Sequence, residues 1–368
     1  MNKVSIFDPT CVLNYGHNLP ALLRYMEIIS RNGSIVTLNV CKELDSQIVH
    51  PQLKRTIPHY YGFSGIPKLD SPQAVLYDVF VHIIENDRPD VIFFPNIDAI
   101  SIEVLQKICE NTNLLRDRKV ILRFIGVMEN DFITEVNHGR FINSIGLLIS
   151  SLKLSNIYYV LGAESERYST YLRATLDDYF LCMPFPLMKR GSKPIRNEYV
   201  FGFLGSPRED KGWKDIPNIA RSLIQSGMLS EIVVKILVQQ DDPNDMVTIE
   251  LSSDEFRNSV ILLDRYLSHN SLIQFIKSSS VLVLPYDVNV YKYRGSAMLF
   301  EGVEYGIPSV AIKGSAFADE IEQHGLGSTV DNLESIALEC VRIARMTFDF
   351  DSYIASTIDA VSILFSQQ

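Results

Sequence analysis

The chain has 368 residues, 46% of them hydrophobic and 21% charged. That balance belongs to a globular protein with room for two or three domains and excludes a disordered, collagenous or coiled-coil chain. The 34 basic and 44 acidic residues leave a net charge of −10, which argues against a general nucleic-acid binder, because phosphate affinity comes from clustered cations.

Charge divides unevenly, with −1 over residues 1–190 and −9 over residues 191–368, as expected for two domains with different surfaces. The five cysteines (Cys11, Cys41, Cys109, Cys182 and Cys340) are scattered and form no C-x-x-C pair. Zinc and a disulfide framework are therefore not expected, and a reducing compartment is. The opening MNKVSIFDPT is broken by Asp8 and Pro9 and reads as a first strand, not a signal peptide. No apolar run reaches the roughly 18 residues that cross a bilayer. The expected location is the cytoplasm.

Strand and helix alternate along the chain. Val4–Phe7 reads as a strand, Leu19–Arg31 as a helix, and residues 34–40 as a strand. Leu76–Ile84 (helix), Val91–Pro95 (strand), Ile102–Cys109 (helix) and Lys119–Val127 (strand) follow. A long helix at Ile133–Leu152, a strand at Ile157–Leu161 and a helix at Glu164–Leu176 complete the first half. Near-continuous apolar strands separated by helices indicate a parallel sheet covered on both faces. Residues 183–198 hold three prolines, a glycine and four cations and interrupt the pattern.

The alternation restarts with strand Tyr199–Leu204, helix Ile216–Gln225 and strand Glu231–Val238. Strand Val260–Leu263, helix Ser271–Lys277, strand Val281–Pro285 and helix Ala297–Tyr305 come next. Strand Ser309–Ile312 and helices Ala318–His324, Asn332–Arg345 and Ser352–Phe365 end the chain. The reading is α/β, with two Rossmann-like, doubly wound domains facing a cleft. Their expected bounds are 1–185, a linker at 186–198, 199–350, and a final helix at 351–368 packing back on the first domain. Such sheets bind ligands at the carboxyl ends of their strands.

Two clusters in the second half carry chemistry. In F-L-G-S-P-R-E-D-K-G an apolar strand enters a loop holding Gly205, Ser206, Arg208 and Lys211. A forked guanidinium and an ammonium three residues apart can grip a diphosphate or simply be solvated. In V-L-V-L-P-Y-D a buried strand ends at Tyr286, and a loop leads to Tyr293, Arg294, Gly295, Ser296 and a helix carrying Glu301. Small residues before a helix N-terminus let a phosphate approach its free N–H groups.

These pieces, with R-G-S-A-M-L-F-E-G-V-E-Y-G-I-P and G-S-A-F-A-D-E-I-E-Q-H-G-L-G, resemble the nucleotide-sugar half of GT-B glycosyltransferases of retaining family 4 (group 1) over about residues 199–347. The resemblance implies transfer of a sugar from a nucleoside-diphosphate sugar to a glycan, lipid-linked or small-molecule acceptor hydroxyl, with retention, as in bacterial-type surface-glycan synthesis. It implies Arg208 and Lys211 on the diphosphate and Glu301 on the ribose. The loop from Tyr293 to Ala297 would surround the sugar and phosphate, joined on the donor side by Gly205, Ser206 and Tyr286. Glu320 matches a further Glu of the family. Arg208, Lys211, Tyr293 and Arg294 are the expected catalytic set. Gly16, His17 and Glu129 are the expected acceptor-side residues. No metal or other cofactor is expected.

Two departures stand out. Tyr293 occupies the position of the first Glu of the family's Glu-x7-Glu pair, and the family's acceptor-side His is absent from the loop after Lys119–Val127. They keep an alternative in play, a non-catalytic GT-B subunit that binds a nucleotide sugar or a partner transferase. The basic loop Leu115-Arg116-Asp117-Arg118-Lys119 reads first as a solvated turn and second as a contact with the inner face of a membrane.

Overall fold

The computed structural model describes residues 2–11, 18–59, 69–126, 135–191 and 198–366. The chain divides into two compact units, residues 1–186 with 357–368, and residues 187–356.

The first unit begins with β1 (Lys3–Asp8), α1 (Asn18–Arg31), β2 (Ile35–Cys41), β3 (Leu53–Ile57), α2 (Pro72–Asp87) and β4 (Val91–Phe94). It continues with α3 (Ala99–Asn111), β5 (Lys119–Phe124), α4 (Glu135–Leu154), β6 (Tyr158–Ala163), α5 (Glu166–Leu176) and β7 (Phe180–Cys182). All seven strands run parallel in the order β3-β2-β1-β4-β5-β6-β7. β4 and β5 are buried along their whole length, which is why they read as unbroken apolar runs. Helix starts are set by short polar side chains. Asp98 accepts from Ser101 N at 2.9 Å and Ser165 from Tyr168 N at 3.2 Å.

The second unit holds β8 (Tyr199–Phe203), two 3₁₀ turns (Glu209–Lys211 and Trp213–Asp215), α6 (Ile216–Leu229), β9 (Val234–Gln239) and α7 (Met246–Leu251). β10 (Val260–Leu263), α8 (His269–Ser278), β11 (Val281–Leu284), α9 (Ala297–Glu304) and β12 (Ser309–Ile312) follow. α10 (Ala316–His324), β13 (Gly327–Val330), a 3₁₀ turn (Leu333–Ser335) and α11 (Ile336–Ala344) complete it. Its parallel sheet has the order β10-β9-β8-β11-β12-β13. The last helix, α12 (Asp351–Ser366), starts in this unit and ends in the first. There Val361, Leu364 and Phe365 join the core beside Phe93, with the Phe93 and Phe365 rings 5.4 Å apart.

The structure corrects several expectations. β3, β7, β13 and α7 have no counterpart in the sequence pattern, because they are short and, in β3 (LKRTI) and β13 (GSTV), polar. Residues 332–345 form a 3₁₀ turn followed by α11 and not one helix. The expected linker is partly built into the second unit. Leu187 and Met188 are buried, and Met188 N donates to the buried Glu304 carboxylate at 2.6 Å. In the basic loop, Lys119 opens β5, is buried, and donates to Leu364 O at 2.6 Å. Arg118 is turned onto Leu114 O. Arg116 is the one cation of that loop that is exposed, which weakens the membrane reading of this run. Among the described residues no helix is long and apolar enough to cross a membrane.

At the end of β1 the Asp8 carboxylate is wholly buried. It accepts from Thr10 N at 2.9 Å, Thr10 Oγ1 at 2.6 Å and Asn96 Nδ2 at 3.2 Å. Burial pushes its pKa up to about 6, and nearby Asp98 adds to the rise. A raised carboxylate pKa destabilises the fold as pH climbs through the interval from the unfolded value to the folded one. Replacing Asp8 by Asn therefore gains stability relative to the parent between about pH 4 and pH 6, by up to about 3 kcal/mol. Thermal melts of both proteins across that range check this, and parallel curves would overturn it.

Candidate functional site

Sheet order in the second unit reverses between β8 and β11, so the loops leaving these two strands part and open a crevice at their carboxyl ends. An open pocket with about 290 Å³ of empty space lies there, lined among others by Gly205, Ser206, Arg208, Lys211, Pro285 and Tyr286. One glycine lines its wall and a second lets the β8 loop close on Pro285. Gly205 has φ +105°, and a Cβ on it would sit 3.0 Å from Lys211 Nζ and 3.3 Å from Met298 Cγ. Gly212 has φ +72°, and a Cβ there would lie 2.3 Å from Pro285 O. Neither position tolerates a side chain in a left-handed backbone.

Arg208 and Lys211 line this pocket, and Arg294 stands close enough to act on Lys211. Arg208 grips Asp210 through Nε at 2.8 Å and Nη2 at 2.7 Å, and Nη2 also donates to Tyr291 Oη at 3.1 Å. Arg294 lies over the ring of the same Tyr291, with its guanidinium 4.9 Å from the ring centroid. Lys211 Nζ sits 5.7 Å from the Tyr286 ring centroid. Burial lowers the Lys211 pKa to about 7, with further lowering from Arg208 and Arg294 and a partial offset from Asp210. Neither Lys211 nor Arg294 pairs with a carboxylate among the described residues. Such a group favours an anion.

The scaffold around the cations is apolar and rigid. Tyr286 and Tyr291 are buried with Phe317 in an aromatic triad, with centroid separations of 4.8 to 5.6 Å. Burial pushes both phenols up, so both remain neutral donors. Asp287 N donates to Asp210 O at 3.0 Å and ties the two loops together. Gln239, at the end of β9, accepts from Gly205 N at 2.8 Å and donates to Arg265 O at 2.6 Å. It thereby braces the β8 loop against the loop after β10.

The expected donor-side residues separate into two groups. Gly205, Ser206, Arg208, Lys211 and Tyr286 line the pocket directly. Arg294 joins them through its electrostatic influence on Lys211. Ser296 caps α9, accepting from Leu299 N at 3.4 Å, and lies beside the Tyr286 hydroxyl. Tyr293, Gly295 and Ala297 are half-buried on the approach to that helix. Glu301 is buried in its second turn. Neither these last five residues nor Arg294 line the pocket. Glu320 is occupied by the Tyr353 hydroxyl of α12 at 2.8 Å. Gly16, His17 and Glu129 fall outside the described residues. Sequence reasoning missed Asp210, Tyr291 and Gln239. Only Gln239 left a signal, a lone amide at the end of the apolar run V-K-I-L-V-Q.

No family model matches the chain, and no curated protein matches it in sequence. Solved structures do match its fold. One is "trehalose-6-phosphate from E. coli bound with UDP-2-fluoro glucose", at 10% identity and TM-score 0.60 over 99% of this chain and 95% of that one. A glycosyltransferase from Rickettsia africae ESF-5 matches at 13% identity and TM-score 0.59 over 99% and 94%. WaaG, a glycosyltransferase involved in lipopolysaccharide biosynthesis, matches at 11% identity and TM-score 0.57 over 99% and 95%. The chain has the GT-B fold, with two α/β units each built on a parallel sheet.

An anion bound at this wall favours the charged form of Lys211 and raises its pKa. Pyrophosphate or nucleoside diphosphate affinity, measured by calorimetry from pH 6 to 9, is therefore strongest below about pH 7 and weakens above it, with proton uptake on binding. A flat profile would remove Lys211 from the anion site. Gly212→Ala, with its Cβ driven at Pro285 O, lowers the melting point and weakens the same anions. Unchanged values for both would show that the loop yields without cost.

Proposed function

We propose that this chain is a glycosyltransferase that takes a sugar from a nucleoside-diphosphate sugar and passes it to an acceptor hydroxyl without a metal ion. The observation that carries the reading is the convergence of Arg208, Lys211 and Arg294 on the crevice between β8 and β11, with Asp210 as the paired carboxylate. Breaking the bond from the anomeric carbon to the diphosphate builds negative charge on the leaving phosphate. Fixed cations aimed at that charge stabilise the transition state and do not need to reorganise. Arg208 is pre-oriented by Asp210 and Tyr291. Lys211 gains its full charge as the phosphate charge grows. The first amides of α9 add a partial positive charge. In this proposal the cations do the work that a divalent ion does in other transferases.

One of the similar structures holds UDP-2-fluoro glucose, so UDP-sugars are the first donors to try. Retention of anomeric configuration follows from the resemblance to group 1 enzymes. WaaG is involved in lipopolysaccharide biosynthesis, and surface-glycan synthesis of that kind is the setting we propose for this chain. The second reading, a subunit that binds donor without turning it over, is favoured by Tyr293 standing where the family has its first Glu.

A thermal-shift and calorimetry series with UDP, GDP, ADP, CMP and their sugar conjugates, all with EDTA, tests the proposal. A ligand held by the folded state raises the midpoint by mass action. Arg208→Ala and Lys211→Ala each weaken the preferred diphosphate by about 1.5–3 kcal/mol, the worth of a hydrogen bond to a charged group. Unchanged affinity in both variants would remove the diphosphate assignment. Tight binding with neither transfer nor hydrolysis would favour the non-catalytic reading.

A further inference from the structure

We propose that Lys211 is a carbonyl-reactive amine, and that the pocket captures small phosphorylated aldehydes on it as an imine. The proposal rests on the anion-holding part of the reading above and not on sugar transfer. Lys211 Nζ borders an open pocket, packed against Gly205 and under the Tyr286 ring. The charged and titratable groups acting on it are Arg208, Arg294 and Asp210, with the Tyr286 ring against it and the Tyr291 hydroxyl on Arg208. The two guanidiniums favour ammonium deprotonation and can also hold a phosphate, so one arrangement supplies a neutral amine and an anchor for its reaction partner.

Lys119 makes the contrast. Burial lowers its pKa too, but its ammonium is spent on Leu364 O, and it does not line the pocket.

The chemistry balances without a redox partner. The amine lone pair adds to the carbonyl carbon, and a proton passes from nitrogen to oxygen. The resulting carbinolamine then loses water to leave the C=N bond. The bound phosphate occupies the place of a donor phosphate, so capture closes the pocket to nucleotides.

The full chain is treated with pyridoxal 5′-phosphate, reduced with borohydride, digested and mapped by mass spectrometry. At pH 7 Lys211, with its pKa near 7, is about half neutral. A solvated lysine with a pKa of about 10.4 is neutral in roughly one molecule in two to three thousand, so Lys211 takes the label at least about a hundred-fold faster than exposed lysines. Pyridoxal without the phosphate reacts about ten-fold more slowly, the loss of one hydrogen bond to a charged group. Lys211→Arg removes the label and keeps the charge. Arg294→Gln slows both reagents, because it leaves Lys211 more protonated, and slows the phosphorylated one further through the lost anchor. Label scattered over surface lysines, or equal rates with and without the phosphate, would overturn the proposal. Capture at Lys211 with no nucleotide bound in the calorimetry leaves this inference standing and removes the donor reading. Nucleotide binding with Lys211 unlabelled does the reverse.

Discussion

An ammonium held beside two guanidiniums repels both, and the second unit is organised around keeping that arrangement in place. Loops alone would let the cations separate into solvent. Here each is tied to something rigid. Arg208 is clamped by Asp210 and Tyr291, and Arg294 lies on the same tyrosine. Lys211 is fixed between Gly205 and Tyr286. The aromatic triad and the Asp287–Asp210 backbone bond keep the β11 loop from relaxing away. Repulsion that the scaffold prevents from dissipating becomes affinity for an anion, because the anion relieves it.

The parallel strands bring these loops together. β8 and β11 are neighbours in the sheet although about 80 residues apart in sequence, since the order reverses between them. A strand-to-loop cluster at residue 205 and another at 286 thus become two sides of one pocket.

Much of this was legible in the residues. The apolar strands Val91–Phe94 and Val281–Leu284 are buried on both faces and announced themselves as such. Gly205, Arg208 and Lys211 could be read as a phosphate-facing loop because a strand, a glycine and two spaced cations stand in sequence. What could not be read follows from non-local contacts. Asp210 looked like any loop acid, and only the folded loop turns it onto Arg208. Tyr291 sits in a tyrosine-rich stretch, and nothing local marks it as the one that takes Arg208 on its hydroxyl and Arg294 on its ring. Lys119 looked like part of a solvated basic run, because its partner lies 245 residues further along the chain. The edge strands β3, β7 and β13 were invisible for another reason: β3 and β13 are short and polar, and β7 is three residues long.

That long-range bond has a consequence for how the molecule is made. Residues 187–356 form a contiguous unit and can fold as soon as they have left the ribosome. The first unit was synthesised earlier but is discontinuous and takes residues 357–368 as its last piece. Until that segment arrives, Lys119 lacks its acceptor at Leu364, and Phe93 lacks Phe365. The half of the protein made first is therefore finished last, and during synthesis it presents an uncovered apolar edge for the time needed to translate the whole second unit.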